Sequence, residues 1–571
     1  MALPQKALTM LDNLQHAHKR PAANYQQPVW TPDFVQSMKS YNTDKIHKQR
    51  AKRLKEEVKD MICDDNADPL ARLELIDDIK RLGLGHHFKE DIDRELDRIL
   101  PKQAAINGGQ KSSLHAIALH FRLCREYGYE VSQDVFQRFK YTDDSFSKSL
   151  QDDVKGLLSL YEASYLAFEG ETLLDEAKAF TSSRLKSFKG DTDAALMEQI
   201  NHALELPLHH RMLRLEARWY IETYSKKKDP NHLLLELAKL DFNIVQSRQQ
   251  RELQEMSRWW DDTGLAKKLS FARNRLTECF FWVVGMVSEP QLGDCRKGLT
   301  KVAALITVID DIYDVYGSLD ELQLFTNAVE RWDINSIEKL PCYMKLSFLL
   351  LYNTINEMAY DTLKKQGVNI IPYLTKAWTD MCKAFMVEAK WRCNRETPTF
   401  DGYLENGWMS VSGTVGLVHA YFLVTKNITK EAIDDLEIYH NLLKCSSMIF
   451  RLCNDLGTSK DELERGESAN SISCYMLEHG VCEQFARKHI RNLIDKTWNK
   501  MNKYGAADSH FGKPFIQIAM DLARIAQCTY QHGDGHGAPD AKAKKRVLSV
   551  LIEPIKLIER PKLQNMERHK P

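Results

Sequence analysis

Apolar residues recur at helical spacing along most of the chain, and no strand-like alternation of any length interrupts them. In the stretch from Pro69 to Leu82, the apolar residues that predict a buried helical face are Leu70, Leu73, Leu75, Ile76 and Ile79. The same periodicity in residues 114–127, 149–165 and 209–224 predicts further helices. The hydrophobic pattern therefore predicts an all-α protein.

Composition supports this interpretation and indicates more than one domain. Glycine and proline number only 26 and 17 among 571 residues, below their usual shares of roughly 7% and 5%. A single hydrophobic core rarely serves more than about 300 residues, so the chain needs at least two domains. The polar run at residues 225–231 combines charges with a proline and is typical of a linker. We expect an N-terminal arm over residues 1–30, one helical domain over 31–229 and a second over 230–571.

Charge and cysteine usage exclude several classes of partner. The 79 basic and 79 acidic residues cancel, and the basic residues are dispersed, which argues against nucleic acid as a partner. No apolar run approaches the roughly 18 residues that span a bilayer, so we expect no membrane insertion. Twelve scattered cysteines without a CxxC pair indicate reduced thiols inside a cell. The first residues have neither the apolar core of a signal peptide nor the character of a transit peptide.

Three aspartates near the middle of the chain predict a metal site. They follow a run of apolar residues with the spacing of a buried helix, Val302, Leu305, Ile306, Ile309, Ile312 and Tyr313. Asp310 and Asp314 would lie one turn apart on a helix face, with Asp311 beside them. Clustered carboxylates in apolar surroundings repel one another, so a cation is expected among them. Mg²⁺ fits because it takes one or two carboxylates together with waters and phosphate oxygens. A solvated acidic helix end is the alternative.

A second polar stretch offers a matching set of oxygen ligands. Asn454, Thr458 and Glu462 are spaced i, i+4 and i+8, which places all three on one face of a helix. An amide, a hydroxyl and a carboxylate form a hard-cation site of low charge that leaves room for phosphate and water. Arg451, one turn earlier, can bind the same phosphate. A polar exposed helix is the alternative, but two such stretches in one domain favour the metal site.

Three further stretches carry candidate chemistry. Arg273 and Arg275 cannot share a helix face, which suits a loop or helix start where both contact one anion, although such a pair is commonly a surface feature. Residues 410–414 interrupt a helix with small hydroxyl side chains and predict a break. The glycine-rich stretch at residues 530–537 contains two histidines, which could bind a transition metal, but its glycines favour a mobile lid. The first half of the chain lacks any catalytic constellation, and we interpret it as structural.

In combination, these motifs resemble those of plant class I terpene synthases of the angiosperm monoterpene and isoprene synthase branch. The resemblance rests on the DDxxD motif at 310–314, the Asn454, Thr458 and Glu462 triad, the arginine pair and the glycine lid, and it extends from about Lys19 to Pro554. It implies an N-terminal α-barrel without activity and a C-terminal class I terpenoid synthase bundle. No DxDD motif is present, so class II cyclisation is not expected. A chain-elongating prenyltransferase would usually carry a second DDxxD motif, and a scaffold protein would need neither metal motif.

The resemblance also implies a reaction and roles for individual residues. The reaction is the Mg²⁺-dependent ionisation of geranyl diphosphate, with release of diphosphate and formation of a ten-carbon olefin. About three Mg²⁺ ions are implied, and Mn²⁺ is expected to substitute. The implied metal ligands are Asp310, Asp311, Asp314, Asn454, Thr458 and Glu462. The implied diphosphate ligands are Arg273, Arg275, Arg451 and Asn454. The implied catalytic residues are Trp282, Tyr530 and Asp534, of which the two aromatic residues would stabilise a carbocation together with Phe450.

Four residues are implied to line the pocket and bear on the product, namely Ala303, Val411, Phe450 and Asn470. Phe450 and Asn470 match isoprene synthases, whereas Ala303 and Val411 stand where those enzymes have Phe and Ser. Ala303 lies seven residues before Asp310, two helical turns away, and its small side chain leaves space for a ten-carbon substrate rather than dimethylallyl diphosphate. We expect an acyclic olefin of the ocimene or myrcene type. A cyclic product of the limonene type, linalool or isoprene are the alternatives.

The arm and the location of the protein are also expectations from the resemblance. The family has two arginines, eight residues and a tryptophan, whereas this chain has Lys19 and Arg20, nine residues and Trp30. Monoterpene synthases of this branch normally carry a transit peptide, which is missing from this chain. We expect the plastid stroma, with the cytosol as the alternative. The expected partner is the small allylic diphosphate, and the expected assembly is a monomer or a weak homodimer.

Overall fold

A computed structural model of the protein describes most of the chain. The described residues are 25–39, 45–99, 113–140, 146–147, 150, 152–188, 190, 192–465, 469–506 and 509–557, without the side chains of 460–465. Of the predicted arm, residues 25–30 are described, whereas Lys19 and Arg20 lie outside the described residues. The side chain of Glu462 lies outside them as well.

Helices account for every regular element of the described chain, apart from an isolated bridge between Lys140 and Phe146. The first are α1 (Pro32–Ser37), α2 (Lys45–Ile62), α3 (Pro69–Arg81), α4 (Lys89–Ile99), α5 (Leu114–Glu126), α6 (Val154–Ser164), α7 (Thr172–Ser187), α8 (Ala194–Glu205), α9 (Leu213–Tyr224), α10 (His232–Thr263), α11 (Leu265–Lys268) and α12 (Leu276–Met286). Those that follow are α13 (Gly293–Asp311), α14 (Leu319–Arg331), α15 (Cys342–Gln366), α16 (Ile371–Asn394), α17 (Phe400–Ser410), α18 (Gly413–Val424), α19 (Lys430–Glu437), α20 (Asn441–Arg465), α21 (Ser471–His479), α22 (Glu483–Ala506), α23 (Lys513–Tyr530) and α24 (Ala541–Val547). The predicted all-α fold class is confirmed.

The chain forms two compact units. The N-terminal unit comprises Met38–Leu166, Glu171–Arg251 and Arg546–Pro571, and the C-terminal unit comprises Met1–Ser37, Ala167–Gly170 and Glu252–Lys545. The division falls within α10, not in the polar run at 225–231 where the sequence predicted a domain boundary. The polar run precedes an unbroken helix of 32 residues, so the change from one unit to the next has no loop to mark it in the sequence.

The N-terminal unit is built on the helical faces that the hydrophobic pattern predicted. On α3, Leu73, Ile76 and Ile79 are fully buried, and they pack with apolar residues of α2, α4 and α10 in one core cluster. The start of α3 is fixed by Asp68, whose carboxylate accepts hydrogen bonds from the backbone amides of Leu70 and Ala71 at 3.0 and 3.1 Å. Such a side-chain cap satisfies amides that a helix start leaves without partners.

Helix α12 lies at the centre of the C-terminal unit. All of its residues are buried, and Gly285 lets α23 approach so closely that a Cβ would lie 2.6 Å from Ile525 Cγ1. After α13 the chain continues in a single π-helical turn, Ile312–Tyr316. Helices α17 and α18 are separated at Ser412, whose φ of 68° lies in the left-handed region. The predicted helix break at 410–414 is therefore confirmed, and it opens toward the site described below.

One described stretch, Phe400–Val424, is long and apolar enough to cross a membrane by composition alone, but 78% of its most apolar window is buried within the protein. It coincides with α17 and α18, which are core helices of the C-terminal unit and are broken between residues 410 and 413. All twelve cysteines have free thiols.

Candidate active site

A cavity of about 420 Å³ opens in the C-terminal unit. Side chains of α12, α13, α20 and α23 line it, together with the break between α17 and α18. The predicted site residues that line it are Arg273, Trp282, Ala303, Asp310, Asp314, Val411, Phe450, Arg451, Asn454, Thr458, Tyr530 and Asp534. The structure thus brings together residues that are up to 261 positions apart in the sequence, since Arg273 and Asp534 both line the cavity.

The acidic side of the cavity is formed by Asp310 and Asp314. Burial, followed by repulsion from Asp314, raises the pKa of Asp310 to about 8, even though the nearby Arg273 lowers it. Arg273 Nη2 donates to Asp310 Oδ2 at 2.5 Å, and 29% of the Asp310 side chain remains exposed. The ionised form of Asp310 is therefore unfavourable without further positive charge nearby. A divalent cation bound at this wall of the cavity would supply that charge.

Asp311 has a different position from its neighbours. It is fully buried and outside the cavity lining, because one residue along a helix turns the side chain by about 100°. Its Oδ2 accepts a hydrogen bond from the backbone amide of Arg273 at 2.6 Å, and its Oδ1 lies 2.9 Å from Arg273 Nε. Asp311 therefore positions Arg273, whereas the sequence assigned it to the metal.

Helix α20 supplies a second polar wall. Asn454 and Thr458 line the cavity one turn apart, and Arg451 Nη1 donates to Asn454 Oδ1 at 3.2 Å. Arg451 is held in place by Gly407 O at 3.1 Å and Ser410 Oγ at 3.1 Å. Two carboxylates, an amide and a hydroxyl around one cavity are hard oxygen donors of the kind that Mg²⁺ prefers. The residues present therefore fit a magnesium site.

A glycine on this helix sets its distance from the next wall. A Cβ at Gly457 would lie 2.9 Å from Tyr530 Cβ and 3.1 Å from Gly533 O. Real side chains almost never approach so closely, because interiors are already close-packed. Gly457 therefore allows the predicted metal helix to lie directly against Tyr530 and the loop that follows it.

An aromatic cluster forms the wall between α12 and α23. The ring centroids of Trp282 and Phe450 are 4.8 Å apart, and those of Trp282 and Tyr530 are 5.9 Å apart. All three residues line the cavity. Aromatic faces carry partial negative charge, so such a wall can stabilise a cation that has no hydrogen bonds to offer.

The glycine-rich loop after α23 is tied to the rest of the unit by Arg275. Its Nη2 donates to Gly537 O at 2.9 Å and to Gln26 O at 2.8 Å. Asp534 Oδ1 accepts the backbone amides of His536 and Gly537 at 3.1 and 2.7 Å and so shapes the loop itself. Arg275 is buried outside the cavity lining. The sequence assigned it to the diphosphate, but its guanidinium is directed at backbone carbonyls.

Asn470 is also placed away from the cavity. Its Oδ1 accepts the backbone amide of Ser473 at 2.9 Å and caps the start of α21. Asn470 is not among the residues that line the cavity, and its predicted pocket role stays a prediction.

Sequence reasoning gave Glu388 and His536 no place at the cavity. Glu388 on α16 lines it, accepts a hydrogen bond from Ser410 Oγ at 2.5 Å, and has a pKa raised by burial. His536 also lines it, 3.4 Å from Thr307 Oγ1, and burial, followed by Arg273, lowers its pKa to about 4. The sequence signal that could have identified Glu388 was its position on α16. It lies seven residues after the buried Met381, which places both side chains on the same face of the helix.

Comparison with known proteins assigns two family models to the chain. The model described as "Terpene synthase family, metal binding domain" matches residues 261–500, and the model described as "Terpene synthase, N-terminal domain" matches residues 29–204. The relative "Tricyclene synthase TPS4, chloroplastic" from Medicago truncatula is 56% identical over 539 residues, which cover 94% of this chain and 92% of that protein.

Solved structures give the same picture. The crystal structure of isoprene synthase from grey poplar leaves (Populus x canescens), in complex with three Mg²⁺ ions and dimethylallyl-S-thiolodiphosphate, has a TM-score of 0.86 and 54% identity, covering 93% of this chain and 100% of that one. A crystal structure of limonene synthase with 2-fluorolinalyl diphosphate has a TM-score of 0.91 and 44% identity, covering 94% of this chain and 100% of that one.

Proposed function

We propose that this chain, which belongs to the terpene synthase family, ionises geranyl diphosphate and releases a ten-carbon olefin. It is a class I terpene synthase, a lyase that uses Mg²⁺. The observation that carries the choice of substrate is the small side chain of Ala303 at the cavity wall. The surrounding lining is apolar and comprises Val283, Met286, Leu299, Val302 and Ile306. A hydrocarbon longer than one isoprene unit can be buried against these residues, which favours binding by the hydrophobic effect.

The metal would be held by side chains from both polar walls. Asp310 and Asp314 would contribute carboxylates, and Asn454 and Thr458 would contribute an amide and a hydroxyl oxygen. Bound there, Mg²⁺ supplies Lewis-acid stabilisation of the departing diphosphate. We propose about three ions, as in the isoprene synthase complex, and expect Mn²⁺ to substitute because it accepts the same oxygen ligands.

The arginines that line the cavity would bind the diphosphate. Arg451 is fixed by Gly407 O and Ser410 Oγ, so it offers its guanidinium in a defined orientation. Arg273 lies on the acidic wall in contact with Asp310. Charge-assisted hydrogen bonds from preorganised arginines strengthen as negative charge develops on the leaving group, and they therefore lower the barrier to ionisation.

The carbocation that remains would face Trp282, Phe450 and Tyr530. These rings stabilise positive charge through their quadrupoles. Closure of the loop after α23 would exclude water, which would otherwise capture the cation as an alcohol. Loss of a proton to the departing diphosphate then completes an olefin. We propose an acyclic product of the ocimene or myrcene type, with a cyclic product of the limonene type as the second candidate.

Gas chromatography of the products formed from geranyl, dimethylallyl and farnesyl diphosphates tests this proposal. With Mg²⁺, geranyl diphosphate should give the highest kcat/KM and mainly acyclic ten-carbon hydrocarbon. Chelation of divalent ions should abolish turnover, and Mg²⁺ or Mn²⁺ should restore it. Isoprene from dimethylallyl diphosphate as the main activity would overturn the substrate assignment and leave the family assignment intact.

We further propose that the protein acts in plastids, because the tricyclene synthase relative is named chloroplastic. Imaging of a fluorescent fusion of the complete gene product in leaf cells tests the location. A signal confined to the cytosol would overturn it.

A further inference from the structure

Two histidines and an aspartate meet in the N-terminal unit, in the half of the chain to which no chemistry has been assigned. His86 and His87 belong to a single 3₁₀ turn, Gly85–His87, and Asp241 lies on α10. His87 Nε2 is 2.6 Å from Asp241 Oδ1, and His86 Nε2 is 3.6 Å from Asp241 Oδ2. One ligand atom from each residue lies within 4.8 Å of the other two, and no other His, Cys, Asp and Glu group among the described residues meets that condition.

The two imidazoles differ in their hydrogen bonds. His87 makes a short hydrogen bond with Asp241, which an ordinary histidine–carboxylate pair would explain. His86 is not explained in this way. Its Nδ1 contacts Gly83 O at 3.1 Å, so Nδ1 carries the proton and Nε2 presents a lone pair. That Nε2 is buried, has no hydrogen-bond partner and lies beside the Asp241 carboxylate.

This arrangement is the one that metal-binding histidines adopt. A ligating imidazole commonly donates its other nitrogen to a backbone carbonyl, which fixes the tautomer and aims the free lone pair at the metal. Asp241 is nearly fully buried, so its charge requires positive partners.

The ligand types also indicate which metal would bind. Two imidazole nitrogens and one carboxylate oxygen suit Zn²⁺ and similar transition metals, whereas Mg²⁺ and Ca²⁺ prefer oxygen ligands. The positive charge of Lys55, which lies beyond ion-pair distance, partly offsets the negative charge of Asp241. A hard cation that is held by charge alone is therefore disfavoured at this position. Imidazole donors, rather than net charge, would therefore determine the affinity.

We propose that His86, His87 and Asp241 form a binding site for a divalent transition metal of the zinc type, separate from the magnesium site of the C-terminal unit. A metal held there would connect the turn after α3 to α10. Its role would be to stabilise the N-terminal unit, and turnover in the other unit would not require it.

The test is a Zn²⁺ titration of the full-length protein after removal of metals and addition of excess Mg²⁺ to fill the magnesium site. Wild type should bind about one equivalent of Zn²⁺ and gain thermal stability. His86→Gln should weaken Zn²⁺ binding by at least about a hundredfold, because it removes a ligand. His202→Gln is the matched control: His202 is also half-buried against a carboxylate, with Nε2 2.7 Å from Glu216 Oε2, but it belongs to no metal-like group, so its loss should leave Zn²⁺ binding unchanged.

Two results would overturn the proposal. One is wild-type protein that binds no Zn²⁺ in the presence of excess Mg²⁺. The other is Zn²⁺ affinity that is equal in wild type and His86→Gln but lost in Asp314→Asn, which would place the ion in the C-terminal cavity. If His86→Gln fails to fold, X-ray absorption of Zn²⁺-loaded His536→Gln decides the question, because His536 is the imidazole that lines the C-terminal cavity. Imidazole nitrogen ligands in that variant would support the site, and an oxygen-only shell would overturn it.

Discussion

Replacing Arg275 with methionine should open the loop that covers the cavity. The substitution keeps a long apolar side chain but removes the guanidinium, and with it the hydrogen bonds from Nη2 to Gly537 O at 2.9 Å and Gln26 O at 2.8 Å. A hydrogen bond from a charged donor contributes about 1.5 to 3 kcal/mol. Only the bond to Gly537 O reaches the loop, and it contributes about 1.5 kcal/mol at the low end. Since about 1.4 kcal/mol is a factor of ten, the closed loop should become about tenfold less favoured.

The assay combines steady-state kinetics on geranyl diphosphate with gas chromatography of the products. A less closed loop admits water, so kcat should fall and the fraction of alcohol should rise in Arg275→Met. Arg258→Met is the control, because Arg258 makes an exposed hydrogen bond to Gln36 Oε1 at 2.8 Å in the same unit. It should change neither quantity.

Two outcomes distinguish the role seen in the structure from the role assigned by the sequence. If Arg275 binds diphosphate directly, Arg275→Met should raise KM and weaken inhibition by diphosphate while the ratio of alcohol to hydrocarbon stays constant. If kcat, KM and products are all unchanged, the reasoning from the two carbonyl contacts is refuted.

Three further predictions concern the cavity, the packing and the pH dependence of stability. Ala303→Phe should fill the space of one isoprene unit, whose five carbons contribute about 4 kcal/mol of burial. The value of kcat/KM for geranyl diphosphate should therefore fall by about a thousandfold, and isoprene release from dimethylallyl diphosphate should rise. Parent activity on geranyl diphosphate would contradict this. Gly457→Ala should lower both Tm and activity, since its Cβ would lie 2.9 Å from Tyr530 Cβ, whereas Gly505→Ala, with no contact closer than 3.6 Å, should not. Burial lowers the pKa of His419 to about 4, below the ordinary histidine value of about 6.5. As pH falls, the unfolded chain therefore binds a proton before the folded protein does, and stability is lost between about pH 6.5 and 4. The fall in Tm from pH 7 to pH 5 should be smaller in His419→Gln than in wild type, and an equal fall would show that His419 does not contribute.

The helices and the two polar walls of the cavity could be predicted because they depend on local spacing. Asp310 and Asp314 face the same space since they are one turn apart, and the same holds for Asn454 and Thr458. The buried face of α3 likewise follows from the positions of its apolar residues. These predictions required only the geometry of a single helix.

The roles that could not be predicted depend on contacts between distant parts of the chain. Arg273 contacts Asp311 across 38 residues, and Arg275 contacts carbonyls 249 and 262 residues away. Nothing near these residues in the sequence identifies their partners, because a side chain's partner is set by how the helices pack. The pairing of His87 with Asp241 across 154 residues was invisible for the same reason.

The apolar part of the cavity wall has an evolutionary consequence. Arg451 contacts Gly407 O, Asn454 Oδ1, Asp455 Oδ1 and Ser410 Oγ, so a substitution there disturbs several contacts at once. The side chains of Ala303 and Val411 contribute only apolar surface to the cavity. A mutation at one of these positions can reshape the space around the carbocation while the charged groups that start the reaction stay in place. Descendants of such an enzyme can therefore acquire new substrates or products by single substitutions that leave the charged groups unchanged.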